Sequence, residues 1–72
     1  MTRKKAPKAP KLAKRIRVLR VQKSLSPTQL GAECGVSESA VRKWEDGVST
    51  PRDSILPILA RTLGVTVAEL LA

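Results

Sequence analysis

Four polar side chains near the middle of the chain carry four different hydrogen-bonding groups. They are a carboxylate, a hydroxyl, a guanidinium and an ammonium group, on Glu38, Ser39, Arg42 and Lys43. A guanidinium can donate two hydrogen bonds to the O6 and N7 of guanine, and a carboxylate can accept one from the amino group of cytosine. These side chains therefore suit readout of base edges. Each would also suit a solvated helix face, and Glu38 would complement the positive end of a helix dipole.

The chain lacks the residues that most enzymes need. It has no His, Tyr or Phe, one Trp and one Cys. General acid–base chemistry by histidine is therefore excluded, and so are an internal disulfide and a cysteine-based metal site. No nucleophile–base pair, metal cluster or phosphate-binding loop is recognisable, and one Trp cannot build a stacking surface for single-stranded nucleic acid. We therefore expect no enzyme, no cofactor, no metal and no small-molecule ligand.

Positive charge is concentrated at the start of the chain. The formal net charge is +8, with 14 basic and 6 acidic residues. Residues 1–23 hold ten of the basic residues and none of the acidic ones, whereas residues 24–72 hold four basic and six acidic residues. This asymmetry predicts a polyanionic partner that is met by the N-terminal end.

Residues 1–10 have no large apolar side chain after Met1, which predicts a flexible basic arm. The basic side chains of this arm are Arg3, Lys4, Lys5 and Lys8. The arm would serve either as a solubilising tail or as a segment that follows a DNA duplex.

Membrane association is not favoured by the sequence. No apolar run approaches the ~20 residues that span a bilayer, and the basic start lacks the apolar segment of a secretion signal. The first predicted helix is basic enough for a membrane surface, but Val18 and Val21 interrupt its polar face and it has no aromatic anchor. We expect a cytoplasmic protein that associates with the nucleoid when bound to DNA.

Apolar periodicity predicts five helices and no strand, an all-α class with one domain. The predicted ranges are 11–23, 27–34, 38–46, 53–63 and a short last helix after Thr66. Ser26 and Ser37 are expected to cap the second and third helices, and Asp53 the fourth. Gly35 is expected to end the second helix in the left-handed conformation. Two short helices joined by such a turn form a helix-turn-helix.

The apolar positions of the second and third helices predict which sides face the core. These positions are Leu30, Cys34, Val36, Val41 and Trp44. If Val41 and Trp44 point inward, then the four polar side chains described above point outward. Trp44 could alternatively stack on a base, and Cys34 could be a redox-sensing thiol, but both spacings favour the core.

Residues 27–47 resemble the helix-turn-helix of phage repressors, Cro proteins and their bacterial (XRE-type) relatives. Gly31 provides the required small residue and Gly35 the turn glycine, and the five apolar positions are all filled. The resemblance covers residues 12–71. It implies a compact five-helix repressor-like domain, residues 11–72, whose third helix reads the major groove. It also implies that Arg20 and Glu45 form an ion pair that braces this helix.

Further residues are expected to contact DNA phosphates. They lie at the start of the second helix and in the loop after the third, at Ser26, Thr28, Gln29, Ser49, Thr50 and Arg52. Pro27 departs from the family, which often has a backbone-contacting glutamine at this position. Either Ser26 and Thr28 take over that contact, or anchoring is weaker here and the basic arm compensates.

These observations predict a sequence-specific, double-stranded DNA-binding transcriptional regulator that resembles a repressor. Two copies would occupy a palindromic operator in successive major grooves ~34–36 Å apart. Because the sequence continues little beyond the fifth helix, we expect a weak homodimer, strengthened on DNA, that uses Val67, Leu70 and Leu71 or the fourth helix. Two alternatives stay open, namely an antitoxin-type regulator whose main partner is a protein, and a non-specific nucleoid or RNA binder that uses the arm.

Overall fold

The computed structural model describes residues 10–72, which form five α-helices and no strand. The helices are, in chain order, α1 Pro10–Gln22, α2 Pro27–Cys34, α3 Glu38–Glu45, α4 Leu56–Leu63 and α5 Val67–Leu71. The predicted all-α class is confirmed, three of the helices begin and end within one residue of their predicted bounds, and α5 begins directly after Thr66 as predicted. None of the described helices is long and apolar enough to cross a membrane.

The ends of α2 and α3 are set by their own sequence. The Ser26 hydroxyl accepts from the backbone N–H of Gln29 at 3.0 Å, and the Gln29 side-chain oxygen accepts from the backbone N–H of Ser26 at 2.8 Å. Ser37 caps α3 by accepting from the backbone N–H of Ala40 at 3.2 Å. Gly35 has φ 72°, a left-handed conformation that glycine adopts without steric cost. Local residues therefore define the helix-turn-helix.

The prediction that α4 begins after a cap at Asp53 is wrong. The chain instead makes a turn in which the backbone N–H of Ile55 donates to the carbonyl oxygen of Arg52 at 2.8 Å, and α4 begins at Leu56. A helix capped by Asp53 would require a hydrogen bond from the nitrogen of Pro57, which carries no hydrogen. With the later start, Pro57 lies in the first turn, where the N–H would have no helical acceptor.

The hydrophobic core contains side chains from all five helices. Its buried members are Ile16, Leu30, Cys34, Val41, Trp44, Leu59, Ala60, Leu63 and Leu70. Four of the five core positions predicted in the helix-turn-helix are buried here, and Val36 packs against this cluster while half-buried. No buried side-chain nitrogen or oxygen among the described residues lacks a hydrogen-bond partner.

Leu70 was predicted at a dimer surface, and that position is wrong. Its side chain is 0% exposed because α5 packs against α1 and α4, whereas Leu71 is 51% exposed. The Arg15 guanidinium fastens the end of α5 to α1, since its Nη1 donates to the carbonyl oxygens of Glu69 at 2.7 Å and Ala72 at 2.6 Å. Of the three residues predicted to form this surface on α5, Leu71 is exposed, Val67 is half-buried and Leu70 is buried.

Replacing Gly31 with alanine is expected to lower the free energy of unfolding. A Cβ atom at this position would lie 2.7 Å from the carbonyl oxygen of Val36 and 3.1 Å from that of Ser37. Both atoms belong to the backbone of the turn, so relieving the overlap requires the turn to move. Such overpacking typically costs about 1–3 kcal/mol, which exceeds the ~1 kcal/mol that alanine gains in helix propensity. Urea unfolding of the Gly31→Ala variant tests this, and a variant at least as stable as the parent would contradict it.

Candidate nucleic-acid interface

Helix α3 has an inner face in the core and an outer face in solvent. Val41 is 0% exposed and Trp44 is 5% exposed, whereas the Arg42 and Lys43 side chains between them are exposed. Glu38 and Ser39, at the start of the helix, are exposed as well. The four polar side chains predicted to read bases therefore share a solvent-facing surface at α3, which we call the reading face.

Glu38 of the reading face is hydrogen-bonded both to Arg42 on the same face and to Thr28 on α2. Arg42 Nε donates to Oε2 of Glu38 at 2.7 Å, and Arg42 Nη2 lies 2.6 Å from the same oxygen in an ion pair. The Thr28 hydroxyl donates to Oε1 of the same carboxylate at 3.1 Å. A predicted phosphate-binding residue, Thr28, is thus linked through Glu38 to a predicted base-reading residue, Arg42. We call these three residues the Glu38 network.

The charge of Glu38 is stabilised by these contacts. The hydrogen bond from Arg42 lowers the pKa of the Glu38 carboxyl most, followed by the hydrogen bond from Thr28. Its side chain is 43% exposed and that of Arg42 is 62% exposed, so water screens the pair. The pair contributes little to folding stability, and its main consequence is the orientation of the two side chains.

The ion pair between Arg20 and Glu45 that the resemblance implied is present in the structure. Arg20 Nε donates to Glu45 Oε2 at 2.6 Å, and Nη2 donates to Oε1 at 3.0 Å, so the pair is bidentate. Arg20 Nη1 also donates to the carbonyl oxygen of Leu25 at 2.8 Å. One guanidinium therefore connects α1, the segment before α2 and the end of α3. This arrangement fixes the C-terminal end of α3 against α1.

The predicted phosphate-binding residues lie in two places. At the start of α2, Ser26 and Gln29 already use their side-chain oxygens for capping, and Pro27 has no N–H. The backbone N–H of Thr28 has no acceptor among the described residues, so it remains available to an anion. The loop residues Ser49, Thr50 and Arg52 lie between α3 and α4, where Thr50 and Arg52 are exposed and Ser49 is half-buried.

Arg17 lies beside this interface and was not among the DNA-contacting residues predicted from the sequence. It lines a polar cleft of about 150 Å³ between α1, the start of α2 and the end of α3. The other lining residues are Arg20, Pro27, Arg42, Glu45 and Asp46. The spacing of three between Arg17 and Arg20, which places both on one side of a helix, was the available signal.

Other sequence predictions meet the structure in part. Arg3, Lys4, Lys5 and Lys8 of the predicted arm lie outside the described residues. Cys34 is buried, and burial raises the pKa of its thiol, with a smaller contribution from the charge of Glu33. A raised pKa disfavours the reactive thiolate, which agrees with a packing role.

The chain matches a known protein family. The sequence profile of a helix-turn-helix family matches residues 16–70, which is most of the chain. The chain belongs to the Cro/C1-type helix-turn-helix family. Members of this family are transcription regulators, and the matched region covers the second half of α1, all of α2 to α4 and most of α5.

Known members resemble this helix-turn-helix protein in sequence and in structure. The transcriptional activator BcrR of Enterococcus faecalis is 34% identical over 58 residues, which are 81% of this chain and 28% of BcrR. The chain thus spans little more than a quarter of that relative. The P22 c2 repressor, solved with a synthetic operator, has 30% identity and a TM-score of 0.80 over 83% of this chain and 91% of its own. The biofilm regulator SinR, solved with DNA, has 29% identity and a TM-score of 0.77 over 85% of this chain and 98% of its own.

Proposed function

We propose that this helix-turn-helix protein is a transcriptional regulator that binds specific sites in double-stranded DNA and is not an enzyme. The observation that carries the proposal is the division of α3 into a buried face with Val41 and Trp44 and the solvent-facing reading face. An exposed helix that is fixed from behind can enter the major groove as a rigid element. The structural resemblance to the P22 c2 repressor with its operator and to SinR with DNA supports this.

Within this proposal, the reading face supplies base contacts and its surroundings supply phosphate contacts. Arg42 pairs with guanine, and Ser39 and Lys43 contact neighbouring positions. The Thr28 N–H at the start of α2 and Arg52 in the loop after α3 hold phosphates on either side. Arg17 on α1 adds a further positive charge beside the same surface. These groups set the register of α3 in the groove.

Two copies of the protein would bind a palindromic site and regulate transcription by occupying it. The reading faces would then meet the DNA one helical turn apart, ~34–36 Å along the duplex. The exposed apolar side chains of Leu71 on α5 and Ile58 on α4 are our candidates for contact between the copies. A small interface of this kind would pair weakly in solution and more strongly on DNA.

Selection of bound sites from a pool of random duplexes tests the proposed function. We expect a preferred motif with two-fold symmetry, bound much more tightly than random duplex at the same salt concentration. A non-specific nucleic-acid binder would instead show no preferred motif and an affinity that depends only on salt. A regulator that acts mainly through a protein partner would bind no duplex selectively.

Replacing Arg42 with alanine is expected to remove the preference for one base pair in each half-site. The loss of a bidentate guanine contact should reduce discrimination there by ~1–3 kcal/mol, about 5- to 150-fold in relative affinity. Competition binding with single-base variants of the selected site measures this. Arg61→Ala is a matched control because Arg61 is exposed on α4 and its side chain makes no hydrogen bond or ion pair with a described residue. An Arg42→Ala variant that kept every base preference would contradict the placement of α3.

A further inference from the structure

The Glu38 network joins two sets of residues that the proposed function uses separately. Glu38 accepts from Thr28, which lies at the phosphate-contacting start of α2, and from Arg42, which lies in the middle of the reading face. All three side chains belong to exposed residues, so a duplex docked on α3 would meet the whole network. Glu38 is therefore an acidic residue placed where a polyanion binds.

We propose that Glu38 is a specificity-determining residue. Its carboxylate orients the Arg42 guanidinium toward the bases, and it weakens binding to duplexes that contact this surface only through their phosphates. The inference rests on the proposed function and adds to it a role for the carboxylate. The relevant partner is the duplex itself, since its phosphates compete with the carboxylate for the same two donors, Thr28 and Arg42.

The geometry of Arg42 explains how one carboxylate can do both. Glu38 Oε2 accepts from Nε and lies 2.6 Å from Nη2, so the guanidinium edge formed by these two nitrogens is engaged within the protein. A guanidinium has five N–H groups in a fixed plane, and the end formed by Nη1 and the second N–H of Nη2 stays available. That end can donate to the O6 and N7 of a guanine while the pair with Glu38 stays intact. A specific site is therefore read without loss of the internal contacts.

Random duplex gains less binding affinity from the same surface. A phosphate that takes Arg42 or Thr28 from Glu38 replaces one anionic acceptor by another and leaves the carboxylate unpaired beside the DNA backbone. Like charges in contact are unfavourable, and an unmatched acidic group suppresses binding to wrong partners. Glu38 therefore lowers the affinity for non-specific DNA more than that for the selected site.

The Glu38→Gln variant of the full chain tests this inference, because it keeps the side-chain size and removes the charge. Dissociation constants would be measured for the selected site and for a random duplex of equal length across a range of salt concentrations. Glu33→Gln is the matched control, since it changes the net charge equally and Glu33 is an exposed residue of α2 without a hydrogen bond or ion pair to a described side chain.

We expect Glu38→Gln to raise the affinity for random duplex by roughly three- to tenfold relative to Glu33→Gln, because it removes a repulsive charge and frees Arg42 to bind a phosphate. The affinity for the selected site should change less, so the ratio of the affinities for the selected site and for random duplex should fall. The slope of log affinity against log salt for random duplex should steepen by ~0.9 if Arg42 binds a phosphate in the variant. When Arg42 is replaced by alanine as well, Glu38→Gln should no longer change this affinity ratio appreciably.

Other outcomes would overturn the inference. If Glu38→Gln and Glu33→Gln behave alike on both duplexes, Glu38 contributes net charge only. If Glu38→Gln weakens the selected site and changes preference at one further base pair, the carboxylate reads cytosine directly. A parent protein that shows no gap between selected and random duplex would refute the proposed function itself, which separates the two failures. Far-UV circular dichroism of each variant establishes that it is folded before binding is compared.

Discussion

Replacing Trp44 with alanine is expected to remove a large part of the free energy of unfolding of the domain. Trp44 is 5% exposed and belongs to the core cluster together with residues of the other four helices. Removing a buried aromatic side chain typically costs ~3–5 kcal/mol. A domain of this size has a total stability of roughly 4–11 kcal/mol, so the loss takes a large part of it. Urea unfolding followed by far-UV circular dichroism measures the change.

A conservative variant separates loss of packing from loss of the indole group itself. Trp44→Phe keeps an aromatic ring in the core, so it should unfold at a urea concentration between those of the parent and Trp44→Ala. The alternative that Trp44 stacks on a base makes the opposite prediction, namely unchanged stability and weakened DNA binding for Trp44→Ala. A parent-like unfolding midpoint for that variant would refute the core assignment.

Replacing Glu45 with alanine is expected to destabilise the domain by about 3 kcal/mol, because removing one partner of a buried ion pair typically costs ~3–5 kcal/mol. The variant leaves the Arg20 guanidinium charged and largely buried, with only the Leu25 carbonyl oxygen as acceptor. The side chains of Arg20 and Glu45 are 13% and 8% exposed, so water cannot fully replace the missing carboxylate. The residual exposure of Arg20 places the effect at the lower end of the usual range.

The double variant Arg20→Met/Glu45→Met provides the matched comparison. Replacing both partners by apolar side chains leaves no unpaired charge, so most of the stability lost in Glu45→Ala should return. Both variants would be compared by thermal and urea unfolding. A double variant that is no more stable than Glu45→Ala would show that the two residues stabilise the domain independently of their pairing.

The elements that the sequence predicts well are those whose signals are local. Ser26, Ser37 and Thr66 accept hydrogen bonds from backbone N–H groups three residues later, and Gly35 supplies the left-handed turn. These contacts involve neighbours in the chain, so spacing and residue type reveal them. The inner and outer faces of α3 follow from helical periodicity in the same way.

Two predictions were wrong because each was based on one residue type and not on the residues that surround it in the chain or in the fold. Asp53 resembles a helix cap, but Pro57 stands four residues later, where a helix starting at Asp53 needs its first N–H donor. Leu70 is apolar near the end of the chain, and nothing in the local pattern separates it from Leu71. The packing of α5 against α1 and α4 decides which of the two is buried.

Contacts between distant residues were beyond sequence reasoning of this kind. The pair of Arg20 and Glu45, 25 positions apart, was expected only through the family resemblance. The contact of Thr28 with Glu38 depends on how α2 and α3 cross, so the spacing of these residues in the sequence does not predict it. The pair of Glu38 and Arg42 was within reach, because a spacing of four on a helix brings such side chains together. It was not predicted because each residue was considered as a partner for DNA or solvent, and Glu38 also for the helix dipole, but not as a partner for the other.

The chain contains no tyrosine or phenylalanine, and its single indole is packed on the inner side of α3. All intrinsic fluorescence of the protein therefore comes from one site beneath the reading face. Its emission should move to longer wavelength when the chain unfolds and water reaches the ring, and it should keep its wavelength when a duplex docks on the opposite side of the helix. The same unlabelled sample can thus distinguish occupancy of the groove-facing surface from collapse of the scaffold under it.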